Sequence, residues 1–257
     1  MGGAGAAETG SRSGRTPIRR EEWDRIIGAG AGRQPFTCIR ATQLVEGPFY
    51  YESSPLRRKI TDRRPGAPLR LGITLGGLAQ APGQCFPLAG AVIDIWHTDA
   101  AGLYSNVGPD LQPVDTSGQS FLRGHQVTDE NGYVEFDTIV PGWEIVAAAP
   151  PVRVARRTTH IHVKAFHERE VLTAQLFFPD ALMDQLYAEV EPYRSHRLLT
   201  APGLDRPYER IRNPEDNFFV ASNAQPMSVE RVNGVLVAKA TIGVVSQGER
   251  GFRTLFR

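Results

Sequence analysis

The chain has 257 residues, room for one large domain or two small ones, and its 41% hydrophobic and 22% charged content is that of an ordinary globular protein. A net charge of +1 gives no electrostatic basis for holding nucleic acid or an anionic membrane, and the arginine groups Arg57, Arg58, Arg63, Arg64 and Arg153, Arg156, Arg157 read as a solvated face before they read as a phosphate grip. No apolar run approaches the roughly 18 residues that span a bilayer, and the first residues lack the apolar stretch of a signal peptide, so the expected compartment is the cytoplasm.

Residues 1–16, "MGGAGAAETGSRSGRT", are rich in Gly, Ala, Ser and Arg and are expected to be a disordered tail. In 17–35, "PIRREEWDRIIGAG" predicts a short helix followed by a linker: Pro17 suits a first turn, Trp23, Ile26 and Ile27 share a face, and Gly28 and Gly30 stop it. From residue 36 to 257 the texture is one domain of short apolar or alternating runs, punctuated by Gly, Pro, Asp and Asn. "LRLGITLGGLA", "AGAVIDIWHT", "GYVEFDTIV", "HIHVKAF", "LTAQLFF" and "VLVAKATIGVV" predict strands, and "DENG" (129–132) predicts a turn between two of them. This spacing indicates an all-β sandwich or barrel. One helix interrupts it, "PDALMDQLYAEV", with Leu182, Met183, Leu186, Tyr187 and Val190 on one face. Residues 194–220 look irregular and polar. Cys38 and Cys85 could form one disulfide, but two thiols define no framework.

Two of the six histidines stand two apart in "THIHVK". In a strand, residues i and i+2 face the same way, so His160 and His162 stand side by side, with Ile161 and Val163 opposite. Either this is the polar face of a half-buried strand, or the pair belongs to a metal site, since neutral imidazole is the commonest metal ligand. Other ligand-capable residues lie on neighbouring elements: Asp94, His97, Asp99 and Tyr104 in "IDIWHTDAAGLYS", and Glu144 in "PGWE". Taken singly, each has an ordinary structural explanation.

Taken together with their surroundings, they resemble the intradiol ring-cleavage dioxygenases, the family of catechol, hydroxyquinol and protocatechuate dioxygenases. The similar stretches are "EGPFYYESSPLRRKI" (46–60), "GAPLRL" (66–71), "CFPLAGAVIDIWHTDAAGLYS" (85–105), "FLRGHQVTDENGYVEFDTIVPGW" (121–143), "RTTHIHVKAF" (157–166) and "LTAQLFFPD" (172–180), in the family's order. The resemblance implies an antiparallel β-sandwich and a mononuclear non-haem iron, Fe(III), held by two tyrosines and two histidines. It also implies a small-molecule substrate cleaved with O₂, and assembly into homodimers or larger homo-oligomers, although no N-terminal helical dimerisation segment is evident. The first tyrosine falls on Tyr104 and the histidines on His160 and His162. Where the second tyrosine belongs, one residue after "PGW", stands Glu144. The resemblance further places Arg157 as the cation that stabilises charge on the substrate, Gln175 as its neighbour in the pocket, and Phe49 and Tyr50 on the substrate wall. Asp94 and His97 then support the Tyr104 loop.

Glu144 leaves three outcomes open. A carboxylate is a hard ligand and can fill the slot as a displaceable base, but its reference pKa, about 4.3 against about 10 for tyrosine, makes it a weaker donor to Fe(III). Two histidines and a carboxylate are also the ligand set of Fe(II) oxygenases. The protein is therefore an intradiol dioxygenase with an altered ligand, a different metal-dependent oxygenase such as a monooxygenase or oxidative cyclase of a specialised metabolite, or a scaffold whose site has lost iron; a rival of another class is a β-sandwich that binds without catalysis.

Overall fold

The structure, a computed structural model, describes residues 36–38, 40–79, 83–144, 157–196 and 210–245. The expected tail and N-terminal helix lie outside these residues, as do residues 145–156.

The alternating runs form two sheets packed face to face. One contains β1 (Phe36–Thr37), β3 (Gln84–Pro87), β2 (Pro68–Leu78), β10 (Val235–Val244) and β9 (Ser228–Val232) in that order, with β6 (Tyr133–Ile139) paired to β2. The other runs β5 (Arg123–Val127), β4 (Val92–Trp96), β7 (His160–His167), β8 (Glu170–Phe177). Every predicted strand is present. Among the described residues four more, β1, β3, β5 and β9, are too short or too polar to announce themselves by periodicity. The antiparallel expectation holds for all named pairs except one: β10 runs parallel to β2, from Leu236↔Leu69 to Val244↔Gly77. The "DENG" turn forms as expected, with Gly132 N–H donating to the Asp129 carbonyl at 2.9 Å and Gly132 at φ 71°. It joins strands of different sheets, because β5 pairs with β4 while β6 pairs with β2.

The core is the layer between the sheets. Leu69, Leu71, Ile73 and Leu75 of β2, with Val134 and Phe136 of β6, meet Ile93 and Ile95 of β4, Ile161 and Val163 of β7, and Ala174 and Leu176 of β8. This layer fixes the sign of every alternation: once Ile161 and Val163 point inward, His160 and His162 must point outward. Helix α1 (Asp180–Glu189) closes one end, burying Met183, Leu186 and Tyr187 with Leu182 and Val190 partly buried, as its 3.6-residue spacing predicts. Two short helices follow, α2 (Tyr193–His196) and α3 (Asn217–Ser222), the latter preceded by a 3₁₀ turn, Asn213–Glu215. Part of the stretch expected to be irregular is thus ordered against the sandwich. The open question of the cysteines is resolved by a Cys38–Cys85 disulfide at the β1–β3 edge, with Cα atoms 5.8 Å apart.

Arg57 grips both oxygens of Asp62, at 2.8 and 2.9 Å. Arg58 pairs with Glu135 and Asp137, and Arg64 with Asp99. Arg58 therefore ties its loop to β6, while Arg57 and Arg64 pair with loop carboxylates. Arg153 and Arg156 lie outside the described residues.

Candidate metal centre

The outward face of the four-stranded sheet carries a row set by register: Arg123 on β5, Trp96 on β4, His162 on β7 and Gln175 on β8 are direct neighbours across the sheet. His160 sits one step along β7, opposite Phe177. The two imidazoles converge, with Nε2 atoms 3.0 Å apart. His160 Nδ1–H donates to the Thr158 carbonyl at 2.7 Å, which leaves the Nε2 lone pair facing the site. Trp96 stacks on His162, with ring centroids 4.7 Å apart and planes at 8°.

Tyr104 arrives from the loop between β4 and β5. That loop is pinned by its own polar groups. Asp99 Oδ1 accepts from Ala101 N at 2.9 Å and Leu103 N at 3.0 Å. The buried Gln112 side chain both accepts from Tyr104 N and donates to Tyr104 O, each at 2.9 Å. Phe49 stacks on the phenol ring at 4.4 Å. Tyr50 lies tilted against Trp96 at 4.9 Å. Glu144 arrives after β6, and Gly142 makes that approach possible. Its N–H donates to Asp99 O at 2.9 Å, and a Cβ there would stand 2.5 Å from Ala100 O.

The four proposed ligands thus meet. Tyr104 Oη donates to Glu144 Oε2 at 2.8 Å and lies 3.2 Å from His162 Nε2. Donor atoms of Glu144, His160 and His162 all fall within 4.8 Å of one another, and all four side chains are buried. Burial, then the Arg157 cation, pushes both imidazoles well below their usual pKa, so they are neutral. Burial, then the Glu144 charge, raises the Tyr104 phenol well above its usual range. Burial raises the Glu144 carboxyl against the pull of Arg157 and the Tyr104 hydrogen bond. Oxygen and nitrogen donors of four side chains, crowded within hydrogen-bond distance in a dry pocket, are the arrangement a cation satisfies.

Arg157 stands at the edge of this cluster. One Nη2–H donates to Gln175 Oε1 and its Nε–H to Asp216 Oδ2 at 2.8 Å. His97 points elsewhere: Nδ1–H donates to Thr98 O at 2.7 Å, Nε2 accepts from Thr138 Oγ1 at 2.8 Å, and burial drives its pKa to about 4. Asp94 lies on the same outward face of β4, two residues before Trp96 and paired with His125 and Lys164, and is not among the converging groups. Both fit structural support.

Periodicity did not reveal Gln112, Trp96, Arg123 or Asp216 as parts of the site. Only Asp216 had a local signal: an Asp directly before "NFF" is an N-cap pattern. The others act through contacts that no local pattern encodes.

A family model described as dioxygenase matches residues 45–201. A chlorocatechol 1,2-dioxygenase of Rhodococcus opacus is 32% identical over 167 residues, which cover 59% of this chain and 58% of that one, and one of Pseudomonas putida is 32% identical over 146 residues, 52% of each. The chain thus spans only about half the length of these curated relatives. Among solved structures, an intradiol ring-cleavage dioxygenase from Tetranychus urticae superposes with TM-score 0.65 at 25% identity, over 81% of this chain and 95% of that one. The dioxygenase domain of a dioxygenase–carbohydrate-binding fusion from Streptomyces sp. SirexAA-E gives 0.53 at 28% identity, over 80% and 99%.

Proposed function

Because this chain belongs to the intradiol ring-cleavage dioxygenase family, we propose that it is a non-haem iron oxygenase that inserts O₂ into a small catechol-like or other electron-rich aromatic substrate. The observation that carries this is the convergence of Tyr104, Glu144, His160 and His162 from three separate segments onto one buried point. Iron bound there would take the substrate's oxygens and couple the electron-rich ring to O₂. The chain's own residues do the rest. The neutral imidazoles offer Nε2. Glu144 Oε2, already the acceptor of the Tyr104 hydrogen bond, is the atom placed to receive a proton when the phenol becomes a ligand or a substrate hydroxyl replaces it. Arg157, held by Gln175, keeps a permanent charge beside the site and stabilises negative charge that develops on the substrate. Phe49, Tyr50 and Trp96 line the site with aromatic surface and exclude water.

Iron analysis, the visible spectrum of the air-exposed iron-loaded protein, and O₂ uptake with a panel of catechols test this together. Stoichiometric iron, a broad charge-transfer band from Tyr104 phenolate and catechol-dependent uptake are expected. No uptake with iron fully loaded refutes ring cleavage.

A second reading rests on Glu144. With His160 and His162 it makes the two-histidine, one-carboxylate set of Fe(II) oxygenases, and it holds the Tyr104 proton in place. On that reading the protein is colourless in air and performs a different oxidation. Glu144→Tyr separates the two: gain of catechol cleavage in a wild type that lacks it means that the carboxylate diverts the chemistry.

Homo-oligomeric assembly belongs to the same proposal, and light scattering on the purified chain tests it. No helix among the described residues is long and apolar enough to cross a membrane. The Cys38–Cys85 disulfide favours an oxidising compartment over the cytoplasm expected from sequence. Thiol labelling of protein taken directly from its host decides between them.

A further inference from the structure

The 3₁₀ turn and α3 lie beyond the residues matched by the family model, yet they reach the metal centre. Asp216 is fully buried and uses both carboxylate oxygens. Oδ1 accepts from Phe218 N at 2.8 Å and Phe219 N at 3.3 Å, capping α3. Oδ2 accepts from Arg157 Nε at 2.8 Å and from Thr158 N at 2.8 Å. Phe218 lies against the guanidinium, with Cζ 4.2 Å from the ring centroid. Two residues before the histidine pair, Thr158 is held twice: its N–H by Asp216 and its hydroxyl by Asn213 Oδ1 at 2.9 Å. Its carbonyl is the one that orients His160 Nδ1. The segment itself is tied to α1. Arg210 Nη1 donates to Asp180 Oδ1 at 2.8 Å, Arg210 Nη2 to Asp184 Oδ1 at 2.5 Å, and Asn213 N to Asp180 Oδ2 at 3.2 Å.

Of the five guanidinium N–H bonds of Arg157, one goes to Asp216 and one to Gln175 among the described residues. These two contacts, with Phe218 against one face, fix both the plane of the guanidinium and its rotation about the Cδ–Nε bond. The remaining donors therefore have one direction in which to point. A planar fork gains its value from such fixing, since a misaimed cation stabilises charge poorly.

We propose that Asp216 is a positioning residue: its buried carboxylate aims the Arg157 guanidinium into the metal centre and, through Thr158, holds the His160 ring. This rests on the proposed oxygenase function for its catalytic consequence, but not for its geometric one.

Asp216→Asn is the test. The amide oxygen can still cap α3, where Asn serves as well as Asp. Its NH₂ group then faces the Arg157 and Thr158 donors and must turn them away. In ¹⁵N-labelled, metal-free protein, the wild-type Arg157 Nε–H resonance, assigned through its loss in Arg157→Lys, should exchange with solvent slowly. In Asp216→Asn it should exchange like that of an exposed arginine. With iron bound, kcat should fall roughly 10- to 100-fold, the range for loss of a residue that orients a reacting group, while KM changes little. In an Arg157→Lys background the same substitution should cost less than in the wild type, the remainder being the lost hold of Asp216 on Thr158 and so on the His160 ring. An unchanged Nε–H resonance, or an activity loss that adds in full to that of Arg157→Lys, overturns the proposal. If Asp216→Asn does not fold, the wild type alone decides: fast exchange of its Arg157 Nε–H overturns the proposal, and protection supports it. If the wild type consumes no O₂ with any catechol, the oxygenase function fails, and the Nε–H measurements still settle the role of Asp216.

Discussion

Iron should stabilise this protein, and His162→Phe should abolish that stabilisation at little cost to the metal-free fold. A ligand that binds only the native state contributes RT ln(1 + [L]/Kd), about 2.7 kcal/mol at a free concentration one hundred times Kd. At about 2–4 °C per kcal/mol for chains near this size, the wild-type melting temperature should rise by roughly 5–11 °C on loading. Phenylalanine suits position 162 in the metal-free state. It keeps the ring stacked on Trp96 and removes a buried Nδ1 that has no hydrogen-bond partner among the described residues. It also removes the partner of His160 Nε2, a loss of about 1 kcal/mol. Near-isosteric exchange in a packed site costs less than about 1.5 kcal/mol, so the metal-free variant should melt within a few degrees of wild type. The assay is calorimetry of chelated and iron-loaded samples of both proteins. If His162→Phe gains as many degrees from iron as the wild type, His162 is not a ligand and the assigned site is wrong.

Gly142→Ala should destabilise the fold by about 1–3 kcal/mol and weaken iron binding, because the new Cβ collides with Ala100 O and separates the Glu144 segment from the Tyr104 loop; melting and iron titration report the two effects. Asp94, whose carboxyl burial raises to about 6 despite the opposing influence of His125 and Arg123, is protonated in the native state at a pH where the unfolded chain has already lost the proton. Stability should therefore fall as pH rises from about 4 to about 6. Asp94→Asn should flatten that slope in denaturant titrations at several pH values and stabilise the protein at pH 7 by about 1–3 kcal/mol. Reducing the Cys38–Cys85 disulfide, which closes a loop of sequence separation 47, should lower stability by up to about 4 kcal/mol on the chain-entropy account, seen as an earlier urea midpoint in the presence of reductant.

The ordered likeness to intradiol dioxygenases pointed to the four side chains that converge in the structure, and it directed attention to Glu144. Without it, no property of Glu144 or Tyr104 alone distinguishes a ligand from a packed loop residue. Asp216 had an N-cap signature, but nothing nearby indicates that its other oxygen reaches Arg157, 59 residues earlier in the chain.

What the sequence determined by itself is local. Period-two alternation in β2, β4, β6, β7, β8 and β10 decided which residues share a face, and thereby that His160 and His162 stand together, because a strand's geometry depends only on its own backbone. The heptad-like spacing of Leu182, Met183, Leu186, Tyr187 and Val190 fixed α1 in the same way. Only the tertiary structure decided the rest: the parallel pairing of β10 on β2, the disulfide across the β1–β3 edge, the Arg123–Trp96–His162–Gln175 row, and the meeting of Tyr104 with Glu144 and of Arg157 with Asp216. Each depends on register between strands or on the path of a loop, quantities set by burial of the shared core and by long-range hydrogen bonds, for which the neighbouring residues in the chain carry no signature.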